Sequence, residues 1–203
     1  MKRKVIVFIG VIIIPFLILA IDHFILKENV DVNASYDTSR AWNYIYEHQD
    51  EYPSSLIKLA LNNRETISFV YNYPQKHNQK TSMLLSQELK SQQMPLLLQW
   101  DERWGYKTYG NNMMAINGCG PTCLSMVSSY LKQNSQYHPY YVAQYAYRRG
   151  YYTTQGTSWE LMNEGAQDLG LNVQELPLDE DQIIQHLQMQ HPIICSMSKG
   201  IFT

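Results

Sequence analysis

The residues in this chain best equipped for covalent chemistry are its three cysteines, Cys119, Cys123 and Cys195. An odd number leaves at least one thiol unpaired, so no complete disulfide framework organises the chain. Cys119 stands in Asn117-Gly118-Cys119-Gly120-Pro121-Thr122-Cys123, ahead of Leu124, Val127 and Leu131 on one helical face. Pro121 suits a first helical turn, where a missing N–H costs nothing, and the glycines beside Cys119 let the backbone turn sharply. The Cys119 sulfur is therefore expected at the amino end of a buried helix. Unpaired N–H groups and the helix dipole favour an anion there, and the thiolate is the form that acts as nucleophile. Cys123 follows about one helical turn later. A disulfide between the two strains helical geometry, and C-x3-C with no second cysteine or histidine pair supplies half a metal coordination shell. Spacing alone leaves a catalytic and a structural Cys119 evenly matched. Cys195 ends the apolar run Pro192-Ile193-Ile194-Cys195 and reads as a core thiol on a buried strand.

Several elements must position that sulfur. Upstream, Pro95-Leu96-Leu97-Leu98-Gln99-Trp100 reads as a strand or extended lead into the loop Asp101-Glu102-Arg103-Trp104-Gly105. Downstream, 139–149 carries Tyr141, Val142 and Tyr145 on one face and stops at Gly150; Thr157 and Glu160 read as a capping box for a helix ending at Gly170. Asp179 and Gln182 mark the start of another helix over 180–190. Tyrosines crowd 137–152; amphipathic packing with wet hydroxyls accounts for them, and a wall that stacks peptide or glycan is the alternative. Ahead of all this, 27–82 reads as a helical stem and linker. Trp42, Ile45 and Tyr46, then Leu56, Leu59 and Ala60, then Ile67, Val70 and Tyr71 mark three short amphipathic helices, and 75–82 is polar without periodicity. His48 and His77 lie there as solvated surface.

The amino end opens with Lys2, Arg3 and Lys4 before seventeen uncharged residues from Val5 to Ile21. That run spans roughly 26 Å as a helix and extends past Asp22 through Leu26, so 1–26 is expected to be an uncleaved signal anchor crossing the membrane through residues 5–26. The basic residues before it place the amino end in the cytoplasm and the rest outside. With 16 basic and 18 acidic residues the net charge is −2, which leaves no excess to neutralise phosphates and excludes a nucleic-acid partner.

Gly118-Cys119-Gly120-Pro121-Thr122 opening an apolar helix, preceded by Gln99-Trp100-Asp101-Glu102-Arg103-Trp104-Gly105, resembles the bacterial cysteine peptidases related to the bacteriocin-processing, double-glycine peptidases. Gly156-Thr157-Ser158-Trp159, Leu169-Gly170-Leu171 and His191-Pro192-Ile193-Ile194 follow that family's order of segments, so the resemblance covers about 95–203. It implies an α+β, papain-like peptidase domain over 83–203, present in its N-terminal part, with Cys119 as nucleophile, Gln99 as oxyanion donor, a peptide or protein substrate and no cofactor. Cys123 falls where the family usually has a small residue and reads as packing.

A cysteine nucleophile needs a general base, and that base an orienting carboxylate or amide. The family's histidine follows a glycine-rich turn; here Lys199-Gly200-Ile201-Phe202-Thr203 is the last segment. His138, His186 and His191 occupy cap or surface positions instead. The expectation is a peptidase truncated before its base and inactive in this form, with a non-catalytic peptide- or cell-wall-binding module as the alternative.

Overall fold

The computed structural model describes residues 37–91 and 93–197. The stem begins with α1 over 37–47, followed by α2 (Ser54–Asn62), α3 (Ile67–Tyr71) and α4 (Tyr73–Lys76). No one of these helices can bury its apolar stripe alone, and together Ile45, Tyr52, Leu56, Ala60, Ile67, Phe69 and Val70 form a core. Tyr106 and Ala115 join the same core from the cysteine-bearing part of the chain. The Phe69 and Tyr106 rings stack with centroids 4.2 Å apart, and the Tyr106 hydroxyl donates to the Phe69 carbonyl at 2.7 Å. Stem and cysteine segment are thus packed against each other, while 78–82 between them is exposed.

A second core forms around α6 (Cys119–Lys132) and α7 (Pro139–Arg148), which pack on each other. It buries Leu85, Leu97, Trp104, Met114, Leu124, Val142, Ala143 and Ala146 with Leu161 and Ala166. The expected α6 stripe is rotated: Thr122, Leu124, Ser125, Ser128 and Ser129 are buried, whereas Leu131 is 51% exposed. Ser125 ties the following turn by donating to the Tyr137 carbonyl at 2.6 Å.

Helix starts follow local chemistry. Pro139 opens α7 and the His138 ring accepts from the Tyr141 N–H at 3.1 Å; the Asp179 carboxylate accepts from the Gln182 N–H at 2.9 Å to start α9 (Glu180–Gln188). The helix expected from Thr157 to Gly170 is instead split. Ser158 caps a 3-10 turn (Trp159–Leu161), and α8 (Glu164–Asp168) follows.

Strand structure is confined to two antiparallel hairpins of two-residue strands, β1 (Thr108–Tyr109) with β2 (Asn112–Met113), and β3 (Tyr152–Thr153) with β4 (Gly156–Thr157). The expected α+β, papain-like architecture is therefore corrected. Among the described residues helix packs on helix, and no extended sheet backs α6. Of the two readings for 95–100, strand or extended lead into the loop, the strand is absent, and 192–195, read as a buried strand, has irregular backbone; neither finds a partner strand to complete its hydrogen bonds. The single-pass membrane localisation is corrected as well: among the described residues no helix is long and apolar enough to cross a membrane. The span expected over 5–26 lies outside the described residues.

Candidate active site

A one-turn helix, α5 (Met114–Asn117), leads through Gly118 directly into α6, so Cys119 is the first residue of a fourteen-residue helix. Gly118 permits this junction. A Cβ there would lie 2.5 Å from the Met114 carbonyl oxygen. The first bond of α6 runs from the Thr122 N–H to the Gly118 carbonyl at 2.9 Å, so the Cys119 and Gly120 N–H groups precede the ladder and have no acceptor within the helix. The Cys119 side chain is exposed beside them.

Gln99 does not stand free at this helix end. Its Nε2 donates to the Ala115 carbonyl at 2.7 Å, clamping α5 four residues before the sulfur. The rest of the upstream motif braces that clamp. Trp104 is fully buried and its Nε1 donates to the Leu98 carbonyl at 2.9 Å. The Arg103 guanidinium grips the Asp101 carboxylate at 2.8 Å, reaches Glu88 at 2.7 Å and lies 4.4 Å from the Trp104 ring centre. Glu102 turns toward the stem, accepting from Lys76 Nζ at 2.6 Å and Asn72 Nδ2 at 2.7 Å. The motif that carries the family resemblance is thus, in this fold, a fastening for α5.

The other cysteines differ from Cys119 in distinct ways. Cys123 is half-buried, and burial pushes its thiol up from the ordinary value, with the nearby Cys119 and Cys195 thiols adding to the rise. Cys195 was expected in a buried strand; it is exposed in irregular backbone. All three are free.

Residues outside the sequence-predicted site flank Cys119. A Cβ on Gly120 would stand 3.0 Å from Thr157 Cβ, so β4 lies against the start of α6. Thr157 Oγ1 and the Tyr109 hydroxyl are hydrogen-bonded at 2.9 Å. Burial pushes Tyr109 up, opposed by that bond, and Tyr152 and Cys119 raise it further. Asn117 Nδ2 donates to the Tyr109 carbonyl and to Asn111 Oδ1, both at 3.1 Å, holding hairpin β1–β2 to the residues before Cys119. Asn117 lies inside the glycine-cysteine motif, which was the available signal; Tyr109 and Thr157 become neighbours of the sulfur only through folding.

The histidines serve other ends. Burial, and then the Arg103 charge, lower the His138 pKa; a neutral ring suits its role as acceptor at the α7 cap. The Nδ1 atoms of His48 and His77 contact the Tyr44 and Tyr73 carbonyls, and those of His186 and His191 contact each other at 3.0 Å. Among the described residues, no histidine is hydrogen-bonded to Cys119, and no group of three or more histidine, cysteine or acidic residues stands together as a metal site. Comparison of the chain with protein-family models, curated proteins and solved structures finds no match.

Proposed function

We propose that the chain is a cysteine peptidase-like protein in which Cys119 is the thiol nucleophile for peptide-bond hydrolysis, related to the bacteriocin-processing peptidases that its two motifs resemble. One observation carries this reading: the exposed Cys119 thiol is the first side chain of α6, beside N–H groups with no acceptor in the helix. In the proposed step the sulfur attacks a peptide carbonyl carbon, a C–S bond forms, and the displaced electron pair moves to oxygen. The N–H groups of Cys119 and Gly120 receive that oxyanion, joined by the second Nε2 hydrogen of Gln99. Collapse breaks the C–N bond and releases the amine, which needs the proton that the thiol gave up; water then hydrolyses the thioester to the acid and restores the thiol. No described histidine is placed at Cys119 to deliver that proton. The reading therefore expects acylation by activated esters to outrun amide turnover by orders of magnitude.

Intact-mass analysis after exposure to a p-nitrophenyl ester tests it. One acyl group should appear on Cys119, and Cys119→Ala should abolish it. Gln99→Ala should slow acylation about a hundredfold, the scale of a lost oxyanion donor. Acylation that fell instead on Cys195, or survived Cys119→Ala, would remove the nucleophile assignment.

A further inference from the structure

One stripe of α7 meets hairpin β1–β2. Tyr140, Ala143, Gln144, Tyr147 and Arg148 fall at i, i+3, i+4, i+7 and i+8, and with Thr108, Tyr109 and Gly110 of hairpin β1–β2 they line a groove of about 380 Å³. Its end is fixed. The Tyr152 ring meets Tyr109 at 5.1 Å and Tyr147 at 5.9 Å between centroids, and its hydroxyl donates to Asn111 Oδ1 at 2.6 Å. Gly110 adopts φ +66, and a Cβ there would fall 1.9 Å from the Tyr152 ring, so only glycine lets the hairpin close over this end. The wall then continues toward the thiol: Tyr109 bonds Thr157, and Thr157 lies against Gly120, the residue after Cys119.

The groove's charge is unspent. Arg103 is held by Asp101 and Glu88, and Arg149 by Asp168, but Arg148 is exposed and makes no ion pair among the described residues. Beside it Tyr147 leaves 59% of its surface open, a flat apolar face next to a guanidinium. An aromatic face and a fork of donors together suit a ligand with an apolar side chain and a carboxylate on the same short stretch.

We propose that this groove binds a carboxylate-bearing peptide segment, its apolar side chain against Tyr147 and Tyr140 and its carboxylate on Arg148, with the chain running past Tyr109 toward Cys119. This rests on the reading that Cys119 acts on peptides, and it adds the side of the substrate that the thiol does not touch. A C-terminal carboxylate and an acidic side chain offer the same chemistry to Arg148.

The test is fluorescence anisotropy at low ionic strength with the full chain carrying Cys119→Ala, so that nothing turns over. The probes are three fluorescein-labelled alanine-serine peptides ending in phenylalanine: the free acid, the amide, and the amide with glutamate before the phenylalanine. At least one carboxylate peptide should bind about fivefold or more tighter than the neutral amide, the scale of one exposed ion pair, and which one does identifies the source. Arg148→Gln should erase that preference, and Tyr147→Ala should weaken all three about tenfold. Equal binding of the three peptides, no binding of any, or a preference that survives Arg148→Gln would overturn the proposal. Its failure is separable from that of the nucleophile assignment. Selective binding with no acylation of Cys119 in the parent chain leaves the groove standing and the thiol reading lost, and acylation without carboxylate preference does the reverse.

Discussion

A thiol reacts in proportion to its thiolate fraction and its access, and the three cysteines separate on both. Cys123 is half-buried with its pKa raised, first by burial and then by the neighbouring thiols, so at neutral pH it is mostly protonated and shielded. Iodoacetamide labelling resolved by peptide mass should reach Cys119 and Cys195 first. Cys123 should follow at least tenfold more slowly, and its rate should still be rising with pH above the usual thiol range. The sign follows from the shift: a raised pKa moves thiolate formation to higher pH. Cys123 labelling as fast as Cys119 at neutral pH would show that the helix does not shelter it. Cys195 then serves as a control for exposure without helix placement, since it has the access of Cys119 but irregular backbone around it.

At the scale of elements, the buried side of α6 is rich in small hydroxyl side chains, and it carries an internal cost. The hydroxyls of Ser128 and Thr122 are buried without a hydrogen-bond partner among the described residues. Removing an unpaired buried hydroxyl relieves its desolvation, so Ser128→Ala should stabilise the fold by about 1 kcal/mol in urea titration, whereas Ser128→Leu should cost about 1–3 kcal/mol by overpacking. A loss on Ser128→Ala would mean that the hydroxyl is satisfied. This face also shows where sequence patterning stops being informative. Leu124, Val127 and Leu131 make an apolar stripe, yet Leu131 is exposed and the buried side carries Thr122, Ser125, Ser128 and Ser129 beside Leu124. Signals that act within a few residues were legible: Pro139 after His138, Asp179 with Gln182, and the Gly118-Cys119-Gly120-Pro121 junction that puts the sulfur at a helix start. Readings that needed distant partners were not. A buried strand at 192–195 and, as one of two readings, a strand at 95–100 are expected from the sequence, but a strand exists only if another pairs with it. Gln99 was identified as a site residue, while its bond to the Ala115 carbonyl depends on how the loop folds back.

For the whole molecule, stability should depend on alkaline pH through its buried tyrosines. Burial, with Tyr44, Glu51 and Tyr71 adding, pushes Tyr52 up from 10.0 to about 12, and burial together with Glu102 moves Tyr106 in the same direction. The folded chain then keeps protons that the unfolded chain has lost. The resulting stabilisation is complete below pH 10 and disappears as pH climbs toward 12. Urea midpoints should hold constant up to about pH 10 and fall beyond it, and Tyr52→Phe should flatten part of that fall. An unchanged slope in Tyr52→Phe would place the linkage elsewhere.

Neighbouring residues of α5 feed different cores: Met114 packs with α6 and α7, and Ala115 with the stem. Together with the Phe69–Tyr106 stack and the Lys76–Glu102 pair, this rivets two pieces that the backbone joins only through the exposed 78–82 stretch. The covalent link there should be dispensable for holding the pieces together. Trypsin acting after Lys80 should yield a nicked protein whose halves co-elute in gel filtration and part only in denaturant, and the halves produced separately should complement each other when mixed.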